Sequence, residues 1–332
     1  MKKYNVAIVG ATGAVGQEFL KILTERSFPV GELKLLATAR SAGKIIHWQG
    51  KDYVVEETRP ESFTGMDIAL FAGGSASTEF AKAAVTRGAV VIDNSSAFRL
   101  DPAVPLVVPE VNPEDVKWHQ GIIANPNCST IIMVAALKPL HDAAEIKRVV
   151  VSTYQAVSGA GREGIEELEN QVGQLGRGEE THPQVFPYQI AFNLIPRIDV
   201  FQEGDYTKEE WKMVKETQKI LHAPDMAITA TTVRVPVFRS HSEAVNVETE
   251  RKLTAAEARS ILAKAPGIVV LDDPAADRYP MPLTAADTDE VYVGRIREDF
   301  SISNGLNLWV VGDQIRKGAA TNAIQIAELL IK

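Results

Sequence analysis

"VAIVGATGAVGQEFL", residues 6–20, decides how the first half of the chain folds. Four apolar residues suited to a buried strand run into glycines at 10, 13 and 16, and a helical pattern follows. Glycines at a strand-to-helix turn allow a tight bend and let backbone N–H groups approach a pyrophosphate at the helix N-terminus. The G-x-x-G-x-x-G spacing is a variant of the dinucleotide fingerprint. Gly10, Gly13 and Gly16, with Thr12, Ala14 and Val15 between them, are therefore candidate cofactor contacts. The alternative is a glycine turn that holds no ligand.

Outward from this turn, apolar runs and helical patterns alternate: "ELKLLATA", "DIALFAGG", "EFAKAAVTRG", "AVVIDNSS" and "GIIAN". Continuous apolar runs between helices point to a parallel sheet covered on both faces, an α/β doubly wound domain of Rossmann type. After residue 128 the strands become long, alternating and β-branched, as in "RVVVSTYQAVSG", "MAITATTVRVPVF", "EAVNVETERK", "EVYVGRIRED" and "LNLWVVGDQ". That texture predicts an α+β domain on a mixed or antiparallel sheet. Helices are expected in "CSTIIMVAALKPLHDAA", "GREGIEELENQVGQLGRG", "EEWKMVKETQKILH" and the tail "GAATNAIQIAELLIK". The expected division is residues 1–127 plus 315–332 for the nucleotide-binding domain, and 128–314 for the second.

The strand "LKLLATARSAGK" bears on which nucleotide is bound. An NAD site usually ends this strand with an acid for the ribose hydroxyls. None lies between Leu35 and Lys44; Thr38, Arg40 and Ser41 stand there instead. A guanidinium and hydroxyls suit a 2′-phosphate, so NADP is expected. The alternative is a solvated surface loop.

The 332 residues, 45% hydrophobic and 23% charged, are ample for a sizeable core, so no metal or disulfide is needed for stability. Net charge is −8 with no basic stripe, which argues against a nucleic-acid partner. No apolar run approaches the roughly 20 residues of a membrane span. A single cysteine fits a reducing compartment, and a soluble cytoplasmic protein is expected.

That cysteine, Cys128, lies in "NPNCST" at an expected helix start, with Asn127 or Asn125 as N-cap. The positive end of a helix favours a thiolate, and a thiolate is a nucleophile for carbonyl chemistry. Taken alone, a lone cysteine is more often a small buried hydrophobe.

"GATGAVG", "DNSSAFR", "NPNCST", "TYQAVSGAG" and "RVPVFRSHSEAV" together resemble the aspartate-β-semialdehyde dehydrogenase family, in order along essentially the whole chain. The resemblance implies NADP-dependent interconversion of aspartate semialdehyde plus phosphate with aspartyl phosphate through a cysteine thioester. It also implies a homodimer or homotetramer. Cys128 matches the family nucleophile and His241 its general acid/base. Gln155 matches the residue that orients substrate, and Arg234 the one that binds its α-carboxylate. Arg99 and Lys212 match phosphate-holding positions, and Glu209 the residue that faces the substrate amino group. Ser158, Gly159 and Gln314 resemble positions near the cofactor. Physical chemistry leaves rivals open at several of these: an internal salt bridge for Arg234, a satisfied core amide for Gln155, and a surface i,i+3 ion pair for Glu209 and Lys212. N-acetyl-glutamyl-phosphate reductase would be expected to carry "HPGCY", and glyceraldehyde-3-phosphate dehydrogenase "SCTTN" with an acid for NAD. A catalytically silent NADP-binding regulator would have lost Cys128, His241 or Gln155, and all three are present.

Overall fold

The computed structural model describes residues 2–331. The chain divides into two units: one runs to Asn127 and resumes at Ala319, and the other is Cys128–Gly318. The C-terminal return starts at Ala319, within a π-helical turn, Arg316–Ala320.

In the first unit, β1 (Tyr4–Val9), α1 (Ala14–Glu25) and β2 (Val30–Ala37) follow the pattern of the opening stretch. A small antiparallel hairpin comes next, β3 (Ile45–Trp48) and β4 (Lys51–Val54), with β5 (Glu56–Glu57) after it. Then come β6 (Ile68–Phe71), α2 (Ala76–Thr86), β7 (Val90–Asp93) and β8 (Ile122–Ala124). The sheet order is β5-β2-β1-β6-β7-β8, with all pairs parallel. The chain reverses its direction of winding beside β1, the switch point at which doubly wound sheets bind ligands.

The continuous apolar runs are explained by the two faces. Val6 and Ile8 of β1 pack with Phe19, Ile22 and Leu23 of α1 and with Ile324 and Ile326 of the C-terminal helix Thr321–Ile331. Ala7 and Val9 point the other way, to Phe71 and to Ala81 and Ala84 of α2. Gly10 sits at φ +83, where side-chain-bearing residues are strained. A Cβ on Gly16 would meet Ala11 Cα at 2.7 Å, so only glycine lets α1 lie against the turn.

The second unit opens with α3 (Cys128–Ala144) and β9 (Ile146–Gln155), followed by α4 (Arg162–Gly176), α5 (Lys208–Ile220), β10 (Ala227–Arg234) and β11 (His241–Thr249). It closes with α6 (Ala255–Leu262), β12 (Ile268–Val270), α7 (Pro282–Ala285), β13 (Val291–Asp299) and β14 (Gly305–Gly312). The sheet is mixed, in the order β10-β9-β11-β14-β13-β12, with parallel pairs at both edges and antiparallel pairs between them. Alternate residues of β9 and β11 are buried, including Thr153, Gln155, His241 and Glu243. α3 packs on β9 and β11, and α5 on β10. Elsewhere on this sheet Tyr154 and Trp309 meet at 5.5 Å, and a groove of about 340 Å³ is lined by Ala244, Tyr279, Met281, Arg295, Arg297 and Trp309. No helix among the described residues is long and apolar enough to cross a membrane.

Candidate active site

The second unit gathers most of the chemistry-bearing residues at one end of its sheet. α3 begins at Cys128, so the sulfur stands at the first helical position and Asn127 at the cap position. Asn125 is engaged elsewhere: its amide donates to Asn94 Oδ1 and to Ala319 O (3.2 Å), and its carbonyl accepts from Asn322 (2.7 Å). β11 begins at His241, and Cys128 Sγ lies 3.5 Å from His241 Nε2. Gly318 packs close to Cys128, where a Cβ would fall 3.0 Å from Cys128 Cβ.

His241 is fully buried and fixed at both ends. Its Nδ1 accepts the Ala156 N–H at 3.1 Å. Ser240, just before it, takes φ +74, a costly conformation outside glycine. Gln314 stabilises that turn by accepting the Ser240 N–H at 2.8 Å, and its amide nitrogen donates to Ser158 Oγ. Burial, followed by the nearby Arg234 cation, holds the His241 imidazole well below its ordinary pKa.

Arg234 ends β10 opposite Gln155 of β9. It is 6% exposed, donates from Nη1 to Ala156 O at 2.6 Å and lies over the Phe186 ring. No carboxylate lies within 4 Å of it among the described residues, so the internal salt bridge is not formed. Burial lowers its pKa while the charges of Glu209 and Cys128 raise it. A buried guanidinium with one carbonyl and an aromatic face for partners retains donors for an incoming carboxylate.

Gln155 Nε2 donates to Thr153 Oγ1 (3.3 Å) and Glu209 Oε1 (3.2 Å). Glu209 Oε2 in turn accepts from Lys212 Nζ (3.0 Å), which also reaches Asp199 (3.2 Å). A capping box at Thr207 and Glu210 sets where α5 starts and therefore which way Glu209 and Lys212 face. The pair is not a surface one, since Glu209 is 4% exposed. Gly159 is the wall of this cluster: a Cβ there would come 2.7 Å from Arg234 Nη1 and 3.4 Å from His241 Nε2.

Glu243 escaped the sequence reading. It is fully buried on the same strand face as His241, opposite Thr153, and neither carboxylate oxygen has a hydrogen-bond partner among the described residues. Burial, and then the like charge of Glu209, raises its pKa well above the ordinary carboxylate range. An acid within the alternating run "HSEAVNV" was the available signal.

In the first unit, Gly13 caps α1 without any side-chain hydrogen bond, and Thr12, Gly13, Ala14 and Val15 remain partly or fully exposed. Thr38 and Arg40 are exposed, whereas Ser41 is buried, with its N–H on Thr38 O. Thr38 shares a pocket of about 360 Å³ with Gly10, Gly73, Gly74, Ser75 and Glu57. β5 brings Glu57 there beside Ala37, and Arg59 neutralises it at 2.6 Å. That acid and the "GGS" loop lie too far along the sequence for strand-end reasoning to find them. Arg99 is buried in the same unit, with Nε on Asn125 O (2.9 Å) and Nη2 on Asn94 O (2.7 Å). Among the described residues no group of three or more His, Cys, Asp and Glu is placed to hold a metal ion.

Two family models match, "Semialdehyde dehydrogenase, NAD binding domain" over residues 5–119 and "Semialdehyde dehydrogenase, dimerisation domain" over residues 137–317. The aspartate-semialdehyde dehydrogenase of Aquifex aeolicus is 60% identical over 99% of this chain and 98% of its own. Aspartate semialdehyde dehydrogenase II of Vibrio cholerae, solved in complex with ASA, superposes with a TM-score of 0.97 at 50% identity, covering 100% of this chain and 99% of its own. The Candida albicans enzyme, solved with NADP, gives a TM-score of 0.78 at 28% identity over 99% of each chain. With both halves matched and the identity running end to end, this chain belongs to the aspartate-semialdehyde dehydrogenase family.

Proposed function

We propose that the protein catalyses the NADP-dependent interconversion of L-aspartate 4-semialdehyde and phosphate with L-4-aspartyl phosphate, in the aspartate route to lysine, methionine, threonine and isoleucine. The observation that carries the reading is Arg234. It is a buried cation without a carboxylate partner among the described residues, hydrogen-bonded to Ala156, whose N–H binds the histidine that faces Cys128. An amino-acid substrate supplies the missing carboxylate, and Glu209, already an acceptor in the same cluster, suits its ammonium.

Cys128 is the nucleophile. The N-terminus of α3 and the Arg234 cation favour its thiolate, which adds to the aldehyde carbon and gives a hemithioacetal. Gln155 orients the substrate beside the sulfur. Phosphate then cleaves the thioester, and thiolate departs as readily as it attacked. Arg99 and Lys212 are the proposed phosphate contacts.

The first unit's geometry fits a dinucleotide. Gly10 supplies the left-handed turn, and the uncapped first turn of α1 offers N–H groups to a pyrophosphate. Gly10, Gly13 and Gly16, with Thr12, Ala14 and Val15, would hold the diphosphate, while Thr38 and Arg40 would hold the 2′-phosphate. Ser41, being buried, supports that loop through its backbone. NADP, when bound, accepts or supplies the hydride. Gln314 and Ser158 bond to each other, so their contribution to the cofactor side is to shape the loop that also carries Gly159.

The second unit carries the self-association surface, and a homodimer is the assembly proposed, formed on the sheet around Ala244 and Trp309. The test is purified protein with aspartate semialdehyde, run in parallel with N-acetyl-glutamate semialdehyde, each with NADP and NAD. Phosphate-dependent NADPH formation from the free amino substrate is expected. Turnover of the acetylated substrate alone contradicts the assignment.

A further inference from the structure

Asp313, the residue after β14, is not among the groups assigned to the reaction, yet it joins the segments that meet at the sulfur. Its side chain is wholly buried, and each carboxylate oxygen accepts two donors. Oδ1 takes the N–H groups of Ile315 (2.9 Å) and Arg316 (3.0 Å). Oδ2 takes Arg239 Nε (2.5 Å) and the Asp287 N–H (2.8 Å). The Asp313 carbonyl accepts the Gly318 N–H at 2.9 Å and closes the turn. Two further ion pairs brace the same segments: Arg239 reaches Asp287 at 2.8 Å, and Arg316 reaches Asp289 at 2.9 Å.

The neighbours of Asp313 in the chain border the Cys128–His241 pair. Gly312, before it, is the register partner of His241. Gln314, after it, accepts the Ser240 N–H and donates to Ser158. Gly318, at the end of the turn, packs close to Cys128. Arg239 stands two residues before His241, so one oxygen of Asp313 anchors the approach to the histidine while the other anchors the turn beside the sulfur.

An ionised carboxylate suits this point because it offers about four lone-pair sites and no donor. An asparagine keeps acceptor capacity on one side only. On the other its NH₂ would face the Arg239 and Asp287 donors, and such a conflict in a buried place is relieved only by moving the chain. The segments free to move are those that carry Ser240, Gln314 and Gly318.

We propose that Asp313 is a positioning residue for the reaction proposed above: by anchoring Arg239 and the 313–318 turn, it sets where His241 and Gly318 stand against the Cys128 sulfur.

The same sheet supplies a matched control. Asp272 is likewise wholly buried, and it accepts Arg259 Nε (2.6 Å) and the N–H groups of Arg295 (2.7 Å) and Ile296 (3.2 Å). It follows β12, at the opposite edge of the sheet from β10, and joins α6 to β13.

The test compares Asp313→Asn with Asp272→Asn in full-length protein. Asp313→Asn should lower kcat about 10²-fold, the order expected when a reacting group is misplaced. KM for aspartate semialdehyde should stay within about threefold of wild type, since Arg234 and Glu209 lie on β10 and α5. Cys128 is the only cysteine, so iodoacetamide reads its reactivity without any substrate. A histidine beside a thiol promotes the thiolate that alkylates, so the rate at neutral pH should fall about tenfold. Asp272→Asn should lose comparable melting temperature and keep wild-type kcat and alkylation. Wild-type kcat and alkylation in Asp313→Asn, a loss carried by KM alone, or equal losses in Asp272→Asn overturn the proposal. If Asp313→Asn does not fold, Arg239→Gln breaks the ion pair and leaves Asp313 its backbone donors; about a tenfold loss of kcat is then expected, judged against the same control. Wild-type inactivity on aspartate semialdehyde would refute the substrate assignment instead, and the alkylation rates would still decide the role of Asp313.

Discussion

Arg234 is the residue proposed to bind the substrate carboxylate, because its charge is buried and its donors are only partly used. Arg234→Lys keeps the charge but loses the planar fork. Hydrogen bonds to charged groups contribute about 1.5–3 kcal/mol, so KM for aspartate semialdehyde should rise roughly ten- to a hundredfold in steady-state assays. Gly159→Ala places a methyl group 2.7 Å from Arg234 Nη1 and should cost about 10²-fold in kcat/KM by displacing the guanidinium. Glu243 gives a pH signature. Its carboxyl titrates higher in the folded chain than in the unfolded one, so the folded state binds more protons and stability falls as pH rises above the ordinary carboxylate pKa. Glu243→Gln cannot ionise; melting temperatures should show its advantage over wild type growing between pH 5 and pH 8, and a constant difference would count against a neutral Glu243. Local motifs singled out Cys128, His241 and Arg234, which the second unit brings to one end of its sheet. They did not single out Glu243 and the Ala156 amide, since a burial and a backbone direction appear only once β9, β10 and β11 are side by side.

Among the elements, α5 shows how a local rule reaches the site. Thr207 Oγ1 accepts the Glu210 N–H, while the Glu210 carboxylate returns to the Thr207 N–H (2.7 Å) and also takes the Thr232 N–H of β10 (2.9 Å). Thr207→Ala should cost about 1 kcal/mol in denaturant melts and, by loosening the turn that carries Glu209 and Lys212, should raise KM more than it lowers kcat. Helix and strand identities came readily from periodicity: the α3 and α5 segments and the strands β9, β11 and β14 all lie where their patterns placed them. The β3–β4 hairpin, α6 and β12 went unread because each is short, and Ile45–Trp48 and Lys51–Val54 carry charges and exposed faces that blur the period. The end of β2 shows the limit of motif reading. Its strand has no acid, yet the fold delivers Glu57 to the same pocket from β5 and neutralises it with Arg59.

For the whole molecule, the doubly wound unit followed from one glycine turn because both faces of its sheet had to be covered, whereas the mixed sheet leaves the groove around Ala244 and Trp309 open in a single chain. Light scattering coupled to gel filtration should give twice the chain mass, and Ala244→Arg, which puts a charge in that groove, should shift it towards the monomer. Unchanged mass in the variant would move the interface elsewhere. The central step of the proposed reaction is a covalent intermediate at Cys128. Mixing the enzyme with aspartate semialdehyde and NADP⁺ in the absence of phosphate, then quenching in acid for mass spectrometry, tests it most directly. A single burst of NADPH, with a matching aspartyl adduct on the peptide containing Cys128, is predicted, followed by release when phosphate is added. Sustained NADPH formation without an adduct, or wild-type turnover in Cys128→Ala, would contradict it.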